Sequence, residues 1–180
     1  MKKYNLEQSI EVIENNHKAG AYTTAARDCA AIIERIFREV VRNNIPLMPE
    51  KTRLKIAEAE LKRGKGQYGM ESFGLGEMIG LIVETKFFDI WSEVSGTKLS
   101  SLKMIDLNEM NNCRKNLAHG KEESNKQEAD SFIHNLNVII ETFGLLSINS
   151  LDKNTAVFPQ IQPVNMDQAE TDNITKTEKH

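Results

Sequence analysis

Residues 24–42, TAARDCAAIIERIFREVVR, decide the fold class of this chain. Its apolar side chains recur every three to four positions, at Ala26, Cys29/Ala30, Ile33, Ile36/Phe37 and Val40. That spacing places them along one side of an α-helix and leaves the charged residues on the other. We therefore predict a long amphipathic helix that Thr23 or Thr24 caps and that Asn43-Asn44-Ile45-Pro46 ends.

Six further segments carry apolar residues at helical spacing, and no segment alternates as a half-buried strand does. The residues that define them are Leu6, Ile10 and Ile13; Leu54, Ala57 and Leu61; Leu75, Met78, Ile79, Ile82 and Val83; Phe87, Phe88, Ile90, Trp91 and Val94; Leu102, Ile105, Met110, Cys113 and Leu117; Ala129, Phe132, Ile133, Leu136, Ile139 and Phe143. The chain is therefore predicted to be all-α, a bundle of about five to seven helices.

Residues that favour helix ends flank the last two of these segments. Ser100 or Ser101 precedes the segment that ends near Leu117, and Gly120 follows it as a C′ residue. The stretch Ser124-Asn125-Lys126-Gln127 has the pattern of a capping box for the last helix. We expect the two helices to begin and end at these residues.

Composition indicates one domain and a polar tail. The 180 residues suffice for one buried core, and beyond about residue 149 Asp, Asn, Gln, Thr and Pro replace the periodic apolar residues. We predict a helical domain over 1–149 and a disordered tail over 150–180. A net charge of −3 and a pI of about 5.9 exclude a broad basic surface, so any contact with nucleic acid must be local.

Several patterns bound the location and the chemistry. No apolar run approaches a membrane span, and the N-terminus lacks the apolar core of a signal peptide. Cys29 and Cys113 fall on apolar helix faces, which indicates small core residues and not a disulfide or a metal framework. One Glu-x-x-His, at Glu14 and His17, falls short of the two that a di-iron bundle needs. We expect a cytoplasmic protein with no membrane partner, no metal and no cofactor.

The stretch Cys113-Arg114-Lys115-Asn116-Leu117-Ala118-His119-Gly120 carries the residues best suited to chemistry. Arg114 is a permanent cation whose planar fork of donors grips phosphate. His119 is of the residue type that exchanges a proton near neutral pH. Such a pair is a minimal set for cleaving RNA without metal, because the 2′-hydroxyl supplies the nucleophile. The alternative interpretation is an ordinary polar helix C-terminus.

The spacing of this pair indicates how it would converge. On a continuous helix Arg114 and His119 point about 140° apart, at about 100° per residue. A helix that ends near Leu117 leaves His119 in the following turn, where it can approach Arg114. Two copies paired about a two-fold axis at this turn would bring two arginines and two histidines into one cleft.

An all-α bundle with an Arg-x4-His motif between its last two long helices, and a small residue after the histidine, resembles the HEPN superfamily. The resemblance extends over about residues 1–150, and both the 27–34 segment and the 114–120 motif are most similar to stand-alone HEPN ribonucleases. It implies a homodimeric, metal-independent endoribonuclease that leaves 2′,3′-cyclic phosphate and 5′-hydroxyl ends. Such enzymes are often toxins or anti-phage defence effectors, so a restraining antitoxin or a sensor protein is an expected partner.

The resemblance gives catalytic roles to Arg114 and His119. His119 would move the proton of the 2′-hydroxyl or of the leaving 5′-oxygen, and Arg114 would stabilise charge on the phosphoryl oxygens. Asn112, Lys115 and Asn116 are candidate supporting residues, with helix capping as the alternative role of both asparagines. Many active members have Asn, Asp or His directly after the arginine, where this chain has Lys115.

Two other regions contain candidate site residues. Glu34, on the polar side of the long helix, can support the motif arginine, and the simpler interpretation pairs it with Arg38. Lys62, Arg63 and Lys65 form a basic, glycine-rich stretch that we interpret as a loop and as a contact for the RNA backbone. The simpler interpretation of this stretch is a solvated surface loop.

A non-catalytic interaction module is the alternative function. It would use the same bundle to dimerise or to bind a larger nuclease or ATPase. The acidic net charge and Lys115 favour it. Exposure of Arg114 and His119 at a shared cleft would favour the enzyme, and a buried, salt-bridged Arg114 would favour the module.

Overall fold

The computed structural model describes residues 6–64, 69–96, 105–118 and 124–145, with the backbone alone at 116–118. Over these ranges the chain is all-helical with seven α-helices, which confirms the predicted fold class. The α-helices are α1 (Leu6–Lys18), α2 (Tyr22–Asn44), α3 (Glu50–Arg63), α4 (Leu75–Thr85), α5 (Phe87–Ser95), α6 (Leu107–Ala118) and α7 (Lys126–Thr142), and a short 3-10 helix (Ile45–Leu47) follows α2. The predicted tail, 150–180, lies outside the described residues.

Helix α2 is the centre of the core. It packs mainly against α7 and α1, and also against α4 and α6. The predicted apolar side is buried, and Cys29, Ile33 and Phe37 have no exposed surface. Full burial of a large apolar side chain contributes about 1.5–3 kcal/mol to folding, so this stripe holds the bundle together.

The capping box of α7 is displaced by one residue from the predicted one. Asn125 accepts a hydrogen bond from the Glu128 backbone N–H at 3.0 Å, and its own N–H donates to the Glu128 carboxylate at 3.3 Å. Ser124 instead donates its N–H to Thr23 Oγ1 at 2.9 Å. Thr23 therefore does not cap α2, which begins at Tyr22 without a side-chain cap, and joins the starts of α2 and α7.

Helix α3 buries a different face from the predicted one. Leu54, expected in the core, is 59% exposed, whereas Thr52, Ile56 and Ala59 are buried. Charged residues are interspersed with apolar ones around the whole of 50–63, so the apolar pattern does not select a face. Packing against α4 selects it instead.

Helix α4 is the second hub of the bundle. It contacts α2, α3, α5 and α6. Its own apolar residues are largely buried, and the predicted apolar segment after it is core too, with Phe87 and Trp91 buried. Glycines at Gly76 and Gly80 leave one stretch of α4 without side chains, which lets neighbouring groups lie directly on its backbone. Across the described ranges, no helix combines the length and the apolar character needed to cross a bilayer.

Candidate functional site

Helix α6 carries the Arg-x4-His motif and begins at Leu107. The prediction that a serine at 100–101 opens it is wrong, because Asp106 supplies the cap. Asp106 Oδ1 accepts hydrogen bonds from the backbone N–H groups of Asn108 and Glu109, both at 2.9 Å. A carboxylate at this position satisfies two otherwise unpaired donors and therefore fixes the start of the helix.

The structure describes helix α6 as far as Ala118, and the predicted C′ residue Gly120 lies outside the described residues. His119 also lies outside the described residues. The approach of His119 to Arg114 stays a prediction.

The guanidinium of Arg114 lies over Gly76 of α4. A Cβ added at Gly76 would stand 2.6 Å from Nη2 and 3.1 Å from Cζ of Arg114. The Arg114 side chain is half-buried, and its Nε is buried without a hydrogen-bond partner. Asn111 Oδ1, 3.0 Å from the same added Cβ, is also buried without a partner.

The charge of Arg114 has no carboxylate partner among the residues that the structure describes. Arg114 is thus neither fully exposed nor buried in a salt bridge, so its environment alone does not decide between the enzyme and the interaction module. The half-buried guanidinium of Arg114, which has no counter-charge in the described part of the chain, is suited to bind an anion such as a phosphate.

Arg63 lies over the second glycine of α4. A Cβ at Gly80 would collide with its Nη1 and would stand 2.6 Å from its Cζ. Arg63 Nη2 donates to Glu84 Oε2 at 2.6 Å, and the more exposed Lys62 Nζ is 3.7 Å from Glu84 Oε1. The hydrogen bond from Arg63 lowers the pKa of the Glu84 carboxyl from its ordinary value. The loop prediction was therefore wrong for Arg63 and Lys62, which end α3, and Lys65 lies outside the described residues.

The structure thus brings Arg63 and Arg114 to the same side of α4. Gly76 and Gly80 are one turn apart, and residues at this spacing place their β-positions about 5–6 Å from each other. We call this region the glycine face, defined by Gly76, Gly80 and the two guanidinium groups that lie on them. Sequence reasoning named both arginines but did not place them together. The available signal was the Gly-x3-Gly spacing, because glycine inside a helix costs about 1 kcal/mol relative to alanine and so indicates a packing reason.

Glu34 is paired as the simpler interpretation predicted. Its Oε1 accepts a hydrogen bond from Arg38 Nη2 at 2.6 Å, and the same Nη2 donates to the Phe73 carbonyl at 2.5 Å. The contact joins α2 to the segment just before α4. Glu34 thus holds Arg38, the residue that makes this contact, and its support of Arg114 stays a prediction.

The other predicted supporting residues belong to α6. Asn112 and Lys115 are exposed on its surface. Asn116 lies in the last turn, and its side chain is not among those described. No hydrogen bond of Asn112 or Lys115 to Arg114 occurs in the described part of the chain, so their support of the site stays a prediction.

The two cysteines are poor nucleophiles. Burial, with the Asp28 carboxylate beside it, raises the pKa of the Cys29 thiol to about 12. Burial, together with Glu128 and Glu109, also raises the pKa of Cys113, which is half-buried. The thiolate is the reactive form of cysteine and a raised pKa lowers its share, so both side chains should react more slowly near neutral pH than an ordinary exposed cysteine. This agrees with the interpretation of the cysteines as structural residues.

A cavity of about 200 Å³ lies between α6 and α7. Asp106, Glu109, Cys113, Glu128 and His134 are among the residues that line it. Two of its carboxylates cap helices, as described above. Over the described ranges, no three side chains of the metal-binding types come together as a metal site.

Comparisons with known protein families, with curated proteins and with solved structures find no match to this chain. The geometry of the glycine face and the residues of the motif are therefore the features that support a function.

Proposed function

We propose that this chain is a metal-independent endoribonuclease of the HEPN type that acts as a homodimer, with Arg114 and His119 as its catalytic pair. The observation that supports the proposal is the guanidinium of Arg114, held over Gly76 without a carboxylate partner in the described part of the chain. A group that stabilises charge on a phosphoryl transition state works best when it is fixed in advance and uncompensated.

The chemistry requires no group beyond these side chains and the RNA. The 2′-oxygen of one nucleotide bonds to the adjacent phosphorus, and the bond from phosphorus to the next 5′-oxygen breaks. His119 takes the proton from the 2′-hydroxyl or gives one to the leaving 5′-oxygen, and in a homodimer the two copies divide these roles. Arg114 stabilises the charge that grows on the phosphoryl oxygens. The products carry a 2′,3′-cyclic phosphate and a 5′-hydroxyl.

Restraint is part of the proposal, because unrestrained RNA cleavage in the cytoplasm harms the cell. The proposed role is a toxin or an anti-phage defence effector, held in check by an antitoxin or a sensor protein. Arg63, Lys62 and Lys65 would contact the RNA backbone beside the catalytic pair.

Cleavage of total RNA and bulk tRNA in EDTA tests the proposal. Wild-type protein should cut RNA and leave cyclic-phosphate ends. Arg114→Ala and His119→Ala should each slow cleavage by about 100-fold or more. A general acid or base, and a donor that stabilises transition-state charge, each contribute a rate factor of about that size. Arg53→Ala, which removes an exposed arginine of α3, is the matched control and should cut as wild type does.

The alternative function is a non-catalytic helical interaction module. Two observations favour it: Glu84 neutralises Arg63 and Lys62 within the chain, and Leu54 presents an exposed apolar side chain on α3. A folded, dimeric wild-type protein that cuts neither RNA preparation would support the module and contradict the ribonuclease.

A further inference from the structure

Three residues of α4 lie in one row at four-residue spacing, Gly76, Gly80 and Glu84. The guanidinium of Arg114 lies on the first, that of Arg63 lies on the second, and the third is the carboxylate that Arg63 binds. The row therefore presents two neighbouring cations and one internal anion on a single helix face.

The two cations differ in how they are compensated. Arg114 has no carboxylate partner in the described ranges, whereas Arg63 is bound by Glu84 at 2.6 Å. The Glu84 side chain is 42% exposed, so its pairing with Arg63 is a surface ion pair of low net strength. Glu84 accepts one hydrogen bond from Arg63, and a phosphate, which can bind a guanidinium through two parallel hydrogen bonds, can take its place.

We propose that the glycine face binds two consecutive phosphates of a single RNA strand, one on Arg114 and one on Arg63, and that Glu84 is an internal competitor which the RNA displaces. The identity of the ligand as RNA rests on the proposed function. Arg63 is here a binding and positioning residue, because it holds the phosphate next to the one that is cleaved.

Glycine at both positions is what makes this arrangement accessible. A methyl group at either one would push the guanidinium away from the helix, since the nearest atom in each case is a guanidinium nitrogen; at Gly76 the methyl group would also stand 3.0 Å from Asn111 Oδ1. Because a flexible side-chain end is what must move, the substitution should displace the cation without unfolding the protein. The glycines therefore offer a way to move each charge without removing it.

Binding of a fluorescent single-stranded RNA oligonucleotide to the full-length chain, measured by anisotropy across a salt series, tests the proposal. All proteins carry His119→Ala, so that the RNA stays intact. Arg63→Gln should weaken binding about tenfold, as the loss of a charge-assisted contact does. It should also reduce the salt slope by about 0.7, the value for one phosphate contact on a single strand.

Glu84→Gln should change the RNA affinity in the opposite direction. It removes the carboxylate that competes with RNA for Arg63, so binding should become severalfold tighter. Each variant has a matched control with the same change of charge on the exposed side of α3, Arg53→Gln for Arg63→Gln and Glu58→Gln for Glu84→Gln. A control that equals its test variant would reduce the effect to net charge and overturn the proposal. Gly80→Ala should weaken binding while melting like the wild type, and unchanged binding would also overturn it.

The binding and cleavage experiments distinguish a failure of the glycine-face proposal from a failure of the ribonuclease proposal. RNA binding with the predicted pattern, in a protein whose His119 form cuts nothing, would sustain the glycine face and contradict the ribonuclease. RNA cleavage with no effect of Arg63→Gln or Glu84→Gln on binding would do the reverse. Binding of an acidic peptide in place of RNA would overturn the proposal.

Discussion

The α2–α7 core and the glycine face of α4 use helix packing for opposite purposes. In the core, alanines and large apolar residues of α2 are fully buried against α7, and burial of apolar surface stabilises the bundle. On the glycine face, two helices bring arginines onto a bare stretch of backbone. The core therefore supplies most of the stability, whereas the glycine face contributes little to it and holds charged groups in a fixed place.

Stability should respond most strongly in the core. Phe37→Ala should reduce the free energy of unfolding by about 3–5 kcal/mol, since it removes a fully buried aromatic ring and leaves a cavity. Arg63→Ala on the glycine face should reduce it by about 1 kcal/mol or less, because its ion pair is partly exposed. Urea denaturation measures both, and losses of similar size would break the comparison.

The two cysteines differ in burial, and their rates of reaction with a thiol reagent should differ accordingly. At pH 8 the Cys29 thiol, with a pKa raised to about 12, should react with a thiol reagent at least about a thousandfold more slowly than in the unfolded chain. Cys113 is half-buried on the motif helix and should supply the slow reaction of the native protein. Counting reactive thiols in Cys29→Ser and Cys113→Ser checks this. Loss of the native reaction in Cys29→Ser, and not in Cys113→Ser, would contradict it.

Gly76→Ala should separate stability from function. Alanine is favoured over glycine within a helix by up to about 1 kcal/mol, so thermal unfolding should be unchanged or slightly higher. The added methyl should displace the guanidinium of Arg114 and reduce RNA cleavage by roughly tenfold, as a misplaced catalytic group does. Val83→Ala, at an exposed position of the same helix, is the control. Full cleavage by Gly76→Ala would show that the position of Arg114 over α4 does not matter.

The apolar spacing predicted the fold class and the helices that bury a clear stripe, such as α2 and α7. It failed on α3, where Leu54 is exposed and Thr52 is buried, because contacts with α4 choose the face and the local pattern does not. The start of α6 was also predicted wrongly, since Asp106, and not Ser100 or Ser101, caps the helix.

The candidate site was predictable only in part. Residue chemistry identified Arg114 and Arg63 as phosphate-binding candidates, because guanidinium groups suit phosphate wherever they stand. Their proximity could not be predicted, since it depends on how α3 and α6 pack against α4. The compensation of Arg63 by Glu84 depends on the same packing.

The most direct test of the central claim is the rate of RNA cleavage in EDTA by wild-type protein and by Arg114→Lys. Lysine keeps the positive charge and loses the planar fork that grips a phosphate through two hydrogen bonds. The account predicts that wild type cuts RNA to cyclic-phosphate ends and that Arg114→Lys, equally folded, cuts at least about tenfold more slowly. Equal rates for the two proteins, or no cleavage by folded wild type, would contradict it.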